Sequence, residues 1–135
     1  MLSEPHTESR WTSVAVLSAV LLVGGLIPVP FERRPAFSRF GPDKLLHLLG
    51  HGAFSVVLAD ALAADGRSDG ESAAVAAATS AGYGLLIGLL QRRVPGRVPE
   101  HADVVAGVIG SVLAAAWWAL RDEERPTPRD RPGGS

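Results

Sequence analysis

The sequence predicts an all-α fold: a polytopic membrane protein with four transmembrane helices in one bundle. Three observations predict it. Of 135 residues, 47% are hydrophobic and only 20% are charged. The charges are not spread evenly but leave four long gaps. None of those gaps carries the charged stripe, every three or four residues, that a soluble amphipathic helix needs. A helix of roughly 20 residues crosses a hydrocarbon core of about 30 Å.

The first span covers about 11–31, where nothing is ionisable. Its apolar run is too long for a signal-peptide core, and no small-residue cleavage site is clear before Pro28. Gly24, Gly25 and Pro28 permit a kink there. The second span covers about 44–64; only His47 and His51 interrupt the apolar stretch from Leu45 to Ala59. The third, about 71–91, has no charge from Ser72 to Gln91. The fourth, about 103–120, has none from Val104 to Leu120. Polar residues flanking the spans reach the interface by snorkelling.

Short loops join the spans. Pro35, Gly41 and Pro42 break the first, a Gly/Asp/Ser-rich turn over 65–70 forms the second, and Pro95, Gly96 and Pro99 break the third. Residues 1–10 and 121–135 read as a polar N-terminal segment and a disordered polar tail. Four spans put both termini on one side, and Trp11, Trp117 and Trp118 mark that interface. Loops one and three carry seven basic residues against six on the opposite side, so charge bias does not fix the orientation. Across the first helix alone, it leans towards a cytoplasmic loop one.

Composition also excludes classes of function. Thirteen basic against fourteen acidic residues argue against a nucleic-acid binder held by a basic field. With no cysteine there is no disulfide scaffold, thiol nucleophile or thiolate zinc site. Nucleotide loops, hydrolase elbows and zinc-protease motifs are missing.

Polar residues gather where loops one and three meet the membrane. Asp43, Lys44 and His47 open the second span, Gln91 ends the third, and Arg97 and Asp103 precede and open the fourth. Helical spacing puts His47 and His51 on one face beneath Lys44. It also aligns Gly84, Gly88 and Gln91 on the third span, and Asp103, Gly107, Gly110 and Ala114 on the fourth. Small residues let backbones approach, and polar groups at membrane depth face the bundle interior. A ligand-binding pocket of Asp43, Lys44, His47, Gln91, Arg97 and Asp103 follows. The plainer readings are that Lys44 and Arg97 snorkel to headgroups and that the glycines only pack. His-x-x-x-His is a metal spacing, but two ligands make a weak site, so neither metal nor cofactor is expected. Asp60 lies half a turn off the His51 face, at the far end of the second span.

The run Asp43-Lys44-x-x-His47, then Tyr83-Gly84, Gln91, Pro95-Gly96-Arg97, Asp103 and Gly110 resembles the VanZ-like family of small membrane proteins. The likeness covers roughly residues 15–115 and rests on the set of motifs, not on any one. Three positions depart from the family pattern. His51 replaces an aromatic, Gly88 a glutamate and Gly107 an asparagine. The resemblance implies a cell-envelope setting, and the family's namesake is linked to teicoplanin resistance; it implies no particular reaction.

Three functions are weighed. The first is binding of an anionic lipid or envelope precursor, with Lys44, Arg97 and His47 holding a phosphate. The second is a membrane enzyme with His47 as acid/base and Asp103 orienting it on a lipid-linked substrate. The third is a small transport subunit, which would need a continuous polar path. Binding ranks first, so the enzyme question leans towards no. The expected partners are membrane lipids, lipid-linked or glycopeptide-type envelope molecules and, through the glycine faces, a second copy. The expected location is the cell membrane, as a multi-pass protein.

Overall fold

The computed structural model describes residues 5–27, 41–97 and 100–123. It contains four helices, α1 (Pro5–Leu26), α2 (Pro42–Ala64), α3 (Asp69–Gln91) and α4 (His101–Glu123). No strand occurs among the described residues. Each helix holds a segment long and apolar enough to cross a membrane: Ser9–Leu26, Pro42–Ala64, Asp69–Gln91 and His101–Arg121. The protein is a multi-pass membrane protein with an all-α bundle.

Two boundaries differ from the sequence reading. Helix α1 starts at Pro5, inside the expected polar N-terminal segment, and α4 runs on to Glu123. Pro at the first helical position costs no hydrogen bond, so polar residues there do not prevent a helix. The rest of loop one (28–40), Val98, Pro99 and the tail from 124 lie outside the described residues.

The connections follow their local chemistry. Helix α2 begins at Pro42 behind Gly41, with Asp43 in its first turn, where a negative charge favours the helix dipole. It ends in a left-handed Gly66 with φ +94°; Arg67 N–H donates to Leu62 O and Gly66 N–H to Ala63 O. Ser68 then caps α3, its hydroxyl accepting from Glu71 N–H at 3.2 Å. The second loop is thus one helix stop followed directly by one helix start. After α3, Pro95 and Gly96 (φ +80°) turn the chain, closed by Arg97 N–H donating to Val94 O.

The helices alternate in direction, so α2 and α4 run parallel and make the most extensive contact, with α3 against both. Helix α1 lies outside this trio against α2 and α3. The α2–α4 crossing brings backbones together. A Cβ on Gly110 would run into the Leu48 carbonyl, and one on Gly52 would lie 3.4 Å from Ala114 Cβ.

Burial is inverted relative to a soluble protein. The residues with no exposure are Ser55, Ala59, Ala61, Ser72, Ala76, Ser80 and Ser111, whereas Leu45, Leu46, Leu49, Leu86, Leu89, Leu113 and Leu120 stand exposed. So broad an apolar exterior around a small-residue interior suits lipid as the surrounding solvent. The apolar core (Leu58, Ala59, Leu62, Ala73, Ala76, Ala115 and Trp118) fills the half of the bundle near loop two.

Candidate functional site

The other half is polar. The starts of α2 and α4 and the end of α3 meet there around a cavity of about 10 Å³, counted as space for the centre of a water-sized sphere. That is room for about one water. His47, His51, Gln91 and Asp103 supply its polar wall, and Gly84, Gly88 and Gly107 leave it open between the helices. Ile87 and Val104 complete it.

His47 Nε2 lies 3.6 Å from Asp103 Oδ2. That is an ion-pair distance, too long for a hydrogen bond. The other carboxylate oxygen, Oδ1, is buried and has no hydrogen-bond partner among the described residues. The Asp103 side chain is only 8% exposed. One turn below His47, the His51 ring stacks on it with centroids 6.3 Å apart and planes within 9°. His51 occupies its position because two helices lack side chains beside it. A Cβ on Gly84 would come within 3.1 Å of the ring, and one on Gly107 within 2.9 Å.

Beneath His51 the polar column continues. Ser80 Oγ donates to His51 O at 3.0 Å and lies 3.5 Å from His51 Nδ1. Ser111 Oγ is 2.8 Å from both Ser80 Oγ and Gly107 O, and Ser55 Oγ donates to Ser111 O at 3.0 Å. The column stops against the apolar core. Among the described residues these polar groups thus occupy one half of the bundle.

The expected site residues divide. His47, Gln91 and Asp103 do line one cavity. Lys44 does not: its Nζ pairs with Glu100 Oε2 at 3.0 Å, with both side chains partly buried. Arg97 is also elsewhere; its guanidinium donates to Ile27 O at 2.7 Å. Lys44 and Arg97 thus reach separate acceptors, and the structure does not bring the two cations together at this cavity. Nor does an ion pair join Arg97 to Asp103 among the described residues. Asp43 is exposed in the first turn of α2, outside the cavity wall. Gln91 lines the cavity and also holds α1, donating from Nε2 to Gly25 O at 2.8 Å.

Sequence reasoning missed Glu100 as the partner of Lys44, and it missed Ser55, Ser80 and Ser111. The signal was present as spacing. Residues 47, 51 and 55, residues 80, 84, 88 and 91, and residues 103, 107 and 111 form one stripe on each helix. Asp60 is away from the pocket, accepting from Trp118 Nε1 at 2.8 Å near loop two. Trp11 Nε1 donates to Asp65 Oδ2 at 3.1 Å at the same end. Among the described residues no three His, Asp or Glu side chains are grouped as a metal site.

Compared with family models, curated proteins and solved structures, the chain has no match.

Proposed function

We propose that this protein binds the phosphate-bearing headgroup of a membrane lipid or lipid-linked envelope precursor at its polar cleft, in the cell membrane. The observation that carries the reading is Asp103 Oδ1, a buried oxygen at span depth with no hydrogen-bond partner among the described residues, in the wall of a cavity where a headgroup donor could reach it. Burying such a group is costly and marks function more often than packing. The cleft ends against an apolar core, which favours a binding site over a transport path. Exposed Arg92 and Arg93, which follow Gln91 in the chain at the same end of the bundle, are unburied cations available to a phosphate.

The motif resemblance to VanZ-like proteins belongs to the same proposal. The three positions that depart from that pattern, His51, Gly88 and Gly107, all line this one cavity. The departures then form one altered pocket wall, not scattered drift.

Mass spectrometry of lipid retained by the detergent-solubilised protein tests the reading. A phosphate-bearing lipid should be enriched over an unrelated four-helix membrane protein, and Gly88→Leu, which fills the cavity wall, should reduce the enrichment. No enrichment would overturn it. The His47–Asp103 approach favours a second reading, in which Asp103 orients His47 as acid/base for a lipid-linked substrate. The cavity's one-water size ranks it second. Loss of a lipid-modifying activity in His47→Gln with lipid retention intact would promote it.

A further inference from the structure

We infer that the group the pocket receives is a hydrogen-bond-donating cation, a primary ammonium bound against Asp103. This rests on the lipid-binding reading and specifies which part of the headgroup goes inward. A guest meets the Asp103 carboxylate in a wall otherwise formed by His47, His51 and Gln91. Asp103 contributes a carboxylate oxygen with no hydrogen-bond partner among the described residues. Ser80 Oγ donates to His51 O and lies 3.5 Å from His51 Nδ1. An anion would meet the like charge of Asp103 there. The two cations expected to receive it are engaged, Lys44 by Glu100 and Arg97 by Ile27 O.

Charge and size agree. Among the described residues, an ionised Asp103 at span depth has one basic side chain within ion-pair reach, His47 at 3.6 Å. A buried carboxylate is strongly disfavoured unless paired and hydrogen-bonded. An ammonium carries three N–H donors and one positive charge. It is also about the size of the single water that the cavity admits. A trimethylammonium has no N–H and is wider by three methyl groups. A lipid with a phosphate and a primary amine would place the amine at Asp103 and the phosphate towards Arg92 and Arg93.

The test uses the full chain in detergent, offered three lipids with identical acyl chains and phosphate but ethanolamine, choline or glycerol headgroups. Retained lipid is measured by native mass spectrometry. A charge-assisted hydrogen bond in a buried site corresponds to about a tenfold preference or more. The wild type should retain the ethanolamine lipid over the choline and glycerol lipids by about that factor. In Asp103→Asn the ratio should fall towards one, in protein that stays helical and monodisperse. A parallel arm adds free ethanolamine to delipidated protein and follows thermal stability. Lipid retention without a free-amine effect assigns the headgroup as the source. Stabilisation by free amine without lipid retention assigns a soluble amine; each supports the ammonium site. Equal retention of all three lipids above a control membrane protein would overturn the ammonium and leave lipid binding standing. A preference for glycerol or choline would likewise overturn it. If no lipid is retained and free amine has no effect, both readings fall.

Discussion

Single residues in this bundle matter by what they lack as much as by what they carry. Gly110 meets the Leu48 backbone, while Gly82 has nothing within 4 Å of a would-be Cβ. Gly110→Ala should therefore lower the stability of the solubilised protein by about 1–3 kcal/mol, the range for overpacking a close contact. Gly82→Ala should be neutral or raise it by up to about 1 kcal/mol, because alanine is the better helix former. Thermal unfolding in detergent compares the pair; equal losses would mean the α2–α4 crossing is misplaced. Ser72 offers a second contrast. Its hydroxyl is fully buried with no partner among the described residues. Ser72→Ala should leave stability unchanged or raise it by about 1 kcal/mol, since it removes a desolvated donor without changing the backbone. Ser111→Ala should be destabilising, because that hydroxyl is engaged. The site was legible in part at this scale. His47, Gln91 and Asp103 stand out as polar breaks in apolar runs. Glu100 was not read as the partner of Lys44 because it precedes α4, with two residues between it and Asp103. Spacing alone gives no information on which cation a loop carboxylate chooses.

At the scale of elements, the helix least embedded in the bundle is α1. Its neighbours hold it by donating side-chain bonds to its carbonyls: Tyr83 Oη to Ser18 O at 2.7 Å, Gln91 Nε2 to Gly25 O and Arg97 Nη1 to Ile27 O. The last two matter most, because terminal carbonyls have no helical donor and lipid supplies none. Ser18 lies mid-helix, where its carbonyl already has a helical partner. Gln91→Leu should thus loosen α1 by about 0.6–2 kcal/mol, the range for interhelical bonds in membranes. Tyr83→Phe should cost less. Hydrogen exchange at residues 21–27 distinguishes the two; faster exchange in Tyr83→Phe than in Gln91→Leu would contradict this assignment. The helices themselves were legible from charge-free gaps, because no soluble alternative hides so many apolar side chains. Their ends were less so. The chain's first ten residues read as a polar segment ahead of the first span, yet α1 begins at Pro5. Hydropathy reports where lipid can lie, not where a helix starts.

For the molecule as a whole, the proposed function depends on the different polarity of the two ends, which can be checked directly. The starts of α2 and α4 and the end of α3 carry Lys44, His47, Gln91 and Asp103, with Glu100 just ahead of α4, while Trp11, Trp118, Asp60 and Asp65 form a separate cluster at the loop-two end. The chain has no cysteine, so single and paired cysteines can be introduced on a silent background. Helices of 23 residues such as α2 separate the faces by about 35 Å at 1.5 Å per residue. A cysteine at Gly96 and one at Gly66 should then react with a membrane-impermeant thiol reagent from opposite sides of sealed vesicles. Trp11→Cys should side with the Gly66 site. Paired cysteines at Lys44 and Glu100 should crosslink with a short bifunctional reagent in membranes, because those side chains touch at 3.0 Å. Paired cysteines at Asp60 and Glu100 should not. Carbonate extraction should leave every variant in the membrane pellet, as four spans require. Labelling of Gly96 and Gly66 from the same side, or equal crosslinking of the two pairs, would reverse the helix order. The cleft would then no longer be a one-sided site, since its polar column and apolar core would not lie at opposite ends of one bundle.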